Sequence, residues 1–171
     1  TRVNGITVAK VDDKMAPIPG TEFDIECDTV LLSVGLIPEN ELSNGLNLEM
    51  APLTAGPVVD QRRETSLDGF FAAGNVVHVH DLVDFVSDEA EIAGKYAALK
   101  AMGKMEGETR EVKVSAINGV RTCVPQKLTM SVENPADEKV KLFMRVAAPH
   151  RKVKLEIKSG RSEEHTSELQ S

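Results

Sequence analysis

One segment limits the fold more than any other. Thr29 to Ile37 reads TVLLSVGLI, an apolar run interrupted only by Ser33 and Gly35. Such a run suits a strand covered on both faces, as in a parallel sheet, rather than an alternating, half-exposed strand. It predicts an α/β layer with this strand near the centre, ended by Gly35 and by Pro38, which has no N–H to offer a ladder. The run falls far short of the ~20 apolar residues that a membrane helix needs. The whole chain, 171 residues at 41% hydrophobic, supports one ordinary core or two small ones. A formal charge of −7 without a long basic run argues against nucleic acid as a partner. Two distant cysteines, Cys27 and Cys123, form neither a disulfide framework nor a CxxC motif, and read as small packing residues. A soluble, cytoplasmic protein with no membrane insertion is the expectation.

The flanking sequence predicts further elements. Residues 5–11 alternate with period two, and a connection carrying Pro17, Pro19 and Gly20 leads to a second arm at Phe23–Glu26, a hairpin pattern. Glu39–Gly45 reads as one helical turn, and Phe70–Ala73 as a short buried strand running into Gly74 and Asn75. A helix is predicted over Ser87–Met102, with Ser87 or Asp88 as N-cap, Lys100 in its last turn and Gly103 as the stop. Its buried stripe would be small: Ala90, Ala93, Gly94, Ala97 and Ala101. Beyond a charged linker, VKVSAI, KLTMSVE, KVKLFMRV and KVKLEIK alternate between turn signals, which predicts a small all-β domain over 110–160. The last eleven residues, RSEEHTSELQS, break abruptly from this pattern and match the first-frame translation of a common sequencing adapter. Segment 161–171 is therefore expected to be an artefact and disordered. The opening residues carry no leader pattern, so the chain reads as a fragment that begins inside a longer protein.

The chemistry concentrates in Thr65 to Asn75, TSLDGFFAAGN, followed about a dozen residues later by the predicted helix. A strand ending in glycine lets the backbone approach a cofactor. The polar side chain after it can bond a sugar or ribityl hydroxyl, and a helix N-terminus offers partial positive charge. A flavin, whose reduced ring carries negative charge at its pyrimidine edge, uses all three. Nearby, His78 and His80 lie two apart on an extended pattern, with Asp81 and Asp84 following. They could ligate a metal, but no third His or Cys lies close in sequence, so hydrogen-bonded loop histidines are the simpler reading and no metal is expected.

The segment TSLDGFFAAGN resembles the second flavin-binding motif, T-S-x-x-G-x-F-A-A-G-D, of the FAD-dependent pyridine nucleotide-disulfide oxidoreductases. CDTVLLSVGLIPEN is similar to the strand, turn and G-x-x-P-N by which that family passes from the NAD(P)H domain back to the FAD domain. The stretch HDLVDFVSDEAEIAG and the β tail resemble a subgroup described as NAD(P)/FAD-dependent oxidoreductases of anaerobic bacteria, encoded near glycerol 3-phosphate dehydrogenases. The resemblance implies the C-terminal fragment of a two-dinucleotide-fold α/β flavoprotein. Residues 1–35 would close the NAD(P)H-binding domain, 36–105 would be the returning part of the FAD-binding domain, and 110–160 the appended β domain.

The implied activity is hydride or electron transfer between NAD(P)H and a second, small-molecule substrate through FAD. Gly74 and Asn75 would meet the ribityl-pyrophosphate side, and Val86, Ser87 and Asp88 the pyrimidine edge of the ring; no catalytic base is assigned. Two departures bear on this. Asn75 stands where the family has Asp, and neither GxGxxG nor a redox CxxC occurs, so the fragment alone is expected to bind neither dinucleotide and to be inactive. Two other readings remain: a scaffold or partner subunit of a redox complex docking through the β tail, and a metal-dependent hydrolase built on His78 and His80.

Overall fold

The structure is a computed structural model that describes residues 2–105, 107–131, 139–149 and 151–158, together with the backbone of 164–168. The chain divides into two compact units, Thr1–Leu36 and Ile37–Ser171.

In the first unit, strand β1 (Gly5–Val8) pairs antiparallel with β2 (Phe23–Glu26), Gly5 opposite Glu26 and Val8 opposite Phe23. The predicted hairpin is present. Its connection is held by Asp12, whose carboxylate accepts from the Lys14 and Ala16 N–H groups at 2.8 and 2.9 Å, an Asx-type turn. The central strand expected at Val30–Ile37 is absent. That segment has no regular structure, and Leu31, Val34 and Ile37 are 92%, 90% and 86% exposed. A strand apolar on both faces is stable only between neighbours that cover both faces and pair both edges, and no described residue takes that place. Among the described residues the sheets are two-stranded and antiparallel, and the parallel layer expected from sequence is not among them.

The second unit opens with a short helix, α1 (Glu41–Gly45), preceded by Asn40. The Asn40 side-chain amide donates to the Ala55 and Val76 carbonyls at 2.7 and 3.0 Å, so this residue of the IPEN turn reaches the end of the TSLDGFFAAGN segment. Asp60 is buried, and its carboxylate accepts from the Arg62 and Glu64 N–H groups at 2.9 and 3.0 Å. The chain then doubles back: Thr65 N–H donates to the Phe70 carbonyl and Ala72 N–H to that of Arg63. The expected strand at Phe70–Ala73 is reduced to one bridge, Glu64 opposite Phe71, set between the turn at Leu67–Gly69 and the turn in which the Asp60 N–H donates to the Glu64 carbonyl.

Gly74–Val76 forms a 3₁₀ turn, and the long helix α2 spans Val83–Ala101. Its start differs from the prediction. Leu82, in extended conformation, is the N-cap, while Ser87 lies one turn inside with its hydroxyl donating back to the Val83 carbonyl at 3.3 Å. A serine bonded to the carbonyl four residues earlier is helical rather than capping. The predicted stripe of small residues is not buried: Ala90, Gly94 and Ala101 are exposed, and the one buried side chain of α2 is Glu89.

Beyond α2, β3 (Thr109–Lys113), β4 (Val120–Val124), β5 (Lys127–Ser131) and β6 (Phe143–Val146) follow in the same unit. They pair as β3 with β5 and β4 with β6, two ladders rather than one sheet. The tail joins the preceding segment through two glutamines. Gln126 bonds the backbone of Val59, and Gln61 both donates to the Thr129 carbonyl at 2.6 Å and accepts from its N–H at 2.8 Å. The core lies where they meet, with Val59, Val77 and Val124 buried against Ala72, Val76 and Phe143. Finally, β7 (Lys154–Lys158) pairs with β8 (Glu164–Glu168), which falls within the tail expected to be disordered. Its register sets Lys154 opposite Glu168 and Lys158 opposite Glu164. Among the described residues, no helix is long and apolar enough to cross a membrane.

Candidate functional site

The turn at Gly74 is built for close approach. Gly74 is buried with φ +74°, a conformation open to glycine at little cost, and a Cβ added there would come within 2.9 Å of Val86 Cγ1. Two of the five expected cofactor residues, Gly74 and Val86, are thus in contact. Asn75 is exposed, and its Oδ1 accepts from the His80 N–H at 3.1 Å, leaving one lone pair and the side-chain NH₂ group free of that bond. Ser87 is exposed and bonded back into α2, while Asp88 pairs with Lys141. Neither sits at the helix start. The open N–H groups of α2 belong to its first turn at Val83 and Asp84, because the helix begins four residues earlier than its serine suggests.

Behind Gly74 lies a feature that the sequence reading missed. Glu89 is fully buried and engages on both oxygens. Its Oε2 accepts from the Gly74 N–H at 2.8 Å and lies 2.9 Å from His80 Nε2. Its Oε1 lies 3.2 Å from His78 Nε2 and 3.1 Å from the buried Arg63 guanidinium. Burial alone would raise the Glu89 carboxyl, but the bonds from His78 and His80, the Arg63 charge and the Gly74 N–H outweigh it and hold the group at about 2. Burial lowers the Arg63 guanidinium against the opposing pull of Glu89 and Asp60, and its Nε has no hydrogen-bond partner among the described residues. The signal for Glu89 in the sequence is faint: an acid in the first half of a helix reads as a complement to the dipole, not as the partner of an HxH pair nine and eleven residues earlier.

The two imidazoles sit 4.0 Å apart between ring centres, and Phe143 of β6 lies 5.5 Å from His78 and 5.2 Å, edge-on, from His80. A cavity of about 140 Å³ opens beside them, lined by both histidines, Phe85, Thr122, Phe143 and Arg145. Arg145 donates to Asp81 at 2.8 Å and fixes the loop between the histidines and α2. Asp84 is exposed and outside this cluster. At the far end of α2, Lys100 binds Glu64 and Asp68, whose bonds push its amine above the ordinary value and tie the helix to the turn before the Gly74 segment. A larger cavity of about 390 Å³ lies between residues 49–58 and the β tail and contains none of the residues singled out from sequence except Cys123. Burial pushes the Cys123 thiol up, away from thiolate chemistry.

No curated protein and no solved structure matches the chain. The family model described as pyridine nucleotide-disulphide oxidoreductase matches residues 1–93, over half of the sequence, and its span contains both the IPEN turn and the Gly74 segment that Asn40 connects. On that match the chain belongs to the pyridine nucleotide-disulphide oxidoreductase family.

Proposed function

We propose that this chain is the C-terminal fragment of a flavoprotein in which hydride or electrons pass between NAD(P)H and a second, small-molecule substrate through FAD. The observation that carries this reading is the Gly74 turn: a glycine at positive φ, packed on Val86, beside an exposed amide side chain and in the same unit as an α2 start that has no side-chain cap. FAD, when bound, supplies the two-electron chemistry. The protein's part is positional. Gly74 brings the backbone close, the Asn75 amide is available to a ribityl hydroxyl, and the first-turn N–H groups of α2 present partial positive charge to a developing anion. Glu89 supports this from behind by holding the Gly74 N–H. Asn75 in place of a carboxylate removes a charge-assisted bond, which is about twice as strong as a neutral one, so flavin is held more weakly than in members with Asp.

The test is the visible spectrum of the protein expressed from the complete gene and ended before Arg161. Oxidised-flavin bands that bleach on adding NADH or NADPH support the reading and identify the donor. A well-folded, colourless protein would sink it and favour a scaffold or partner subunit in a redox complex. In the flavin-containing protein, Asn75→Asp is expected to tighten flavin retention on gel filtration, and no change would remove Asn75 from the site.

A further inference from the structure

We propose that His78, His80 and Glu89 form a binding site for one divalent transition-metal ion of the zinc or ferrous class, with a coordination position open to the adjacent cavity. The three side chains offer ligand atoms that all lie within 4.8 Å of one another. The spacing suits a metal: His78 Nε2 to Glu89 Oε1 is 3.2 Å and His80 Nε2 to Glu89 Oε2 is 2.9 Å. Two ligands at ~2.1 Å from a common ion and near-tetrahedral angles stand ~3.4 Å apart. Two imidazoles and one carboxylate are the donor set of open zinc and non-haem iron sites. The sequence-level objection was the lack of a third ligand nearby, and α2 supplies it.

The surroundings favour a bound cation in two further ways. First, Arg63 and the Gly74 N–H hold the Glu89 carboxylate in one orientation, as outer groups orient the ligands of metal sites. With metal on each Nε2, the imidazole protons move to Nδ1. Asp60, buried beside Arg63, supplies a second negative charge in the neighbourhood. Second, both histidines line the 140 Å³ cavity, which gives water or a small ligand room at the remaining coordination positions, with Phe85 and Phe143 forming apolar walls.

The experiment uses the untagged 171-residue chain, stripped with EDTA and titrated with Co²⁺ as a visible probe for the zinc-class site. Saturation at one Co²⁺ per chain is expected, with ligand-field bands displaced by Zn²⁺. His78→Ala and His80→Ala each weaken binding by at least ~100-fold, while Asp84→Ala, exposed and outside the cluster, leaves it unchanged. Far-UV circular dichroism checks that the variants keep α2. Because a variant in a buried cluster can fail to fold, X-ray absorption on the Zn²⁺-loaded unmodified chain provides a second reading, with two imidazoles and a carboxylate expected in the first shell. Absence of saturable binding, binding that survives loss of both histidines, or a first shell with sulfur or one imidazole would each overturn the site and leave a hydrogen-bonded cluster only. Flavin content does not enter any of these outcomes, so the metal site stands or falls independently of the redox reading.

Discussion

Two regions invert the usual division between core and surface. Val30–Ile37 is the most apolar stretch of the chain and stands in water, whereas Arg63, Glu89, His78 and His80 carry the strongest polar groups and are largely shut away from it. The contrast shows that burial follows from available partners and not from residue type alone. The polar cluster gathers its partners from three segments, so each charge finds a counter-charge or a hydrogen bond. The apolar run finds no cover among the described residues, and its hydrophobicity alone builds nothing.

The sharpest way to break this contrast is to remove one partner from the buried set. Glu89→Leu leaves Arg63 buried without its counter-ion and is expected to cost ~3–5 kcal/mol in urea unfolding. The double change Arg63→Met with Glu89→Leu should recover much of that loss, since a matched apolar pair avoids stranding a charge. A double variant no more stable than Glu89→Leu alone would show that the ion pair is not the unit of stability. Next in size is Gly56→Ala. An added Cβ would clash with the Val77 carbonyl oxygen, so the backbone must shift, with an expected loss of ~1–3 kcal/mol in the same assay. An unchanged midpoint would mean that this approach is looser in solution.

Acid sharpens the comparison further. In metal-free protein, Glu89 sits at about 2 in the fold against its ordinary 4.5, a depressed value. Its contribution is therefore fully present above about 4.5, shrinks as the pH falls below that, and is gone once the pH passes through about 2. Thermal melts between pH 5 and 2 should show a falling midpoint in the unmodified protein that is absent in Glu89→Gln. A parallel fall in both would assign the acid sensitivity elsewhere.

The smallest effect belongs to the apolar run. Leu31→Lys with Val34→Lys is expected to change unfolding free energy by no more than ~0.5 kcal/mol, because neither side chain is covered, while raising the concentration at which the chain remains monomeric. A loss well beyond that would mean that the segment is buried in solution, against its own kind or another surface.

These tests also mark what could be read from sequence. The β1–β2 hairpin was legible because its alternation and its Pro- and Gly-rich connection are local signals that need no distant partner. The existence of α2 was legible for the same reason, but not its start: Ser87 and Asp88 look like caps, and only the fold reveals that Leu82 opens the helix. The order of pairing in the β tail was hidden, since β4 went unrecognised and strands that alternate alike give no hint that β3 seeks β5 and β4 seeks β6. The Gly74 turn was marked by its motif. Glu89 was not, because a buried carboxylate is defined by the groups that converge on it from elsewhere. The run at Val30–Ile37 reads as a strand that demands cover on both faces, and among the described residues nothing covers it.

The two glutamines of this attachment, Gln126 on Val59 and Gln61 on Thr129, hydrogen-bond to main chain. An amide that reads backbone is indifferent to the identity of the residue it holds. Thr129 is therefore free to drift in sequence while Gln61 is not, and each of the two joints is specified by its glutamine rather than by the residue held. A deep mutational scan would show this as intolerance at 61 facing permissiveness at 129, while Val59 stays restricted to apolar side chains by its place in the core.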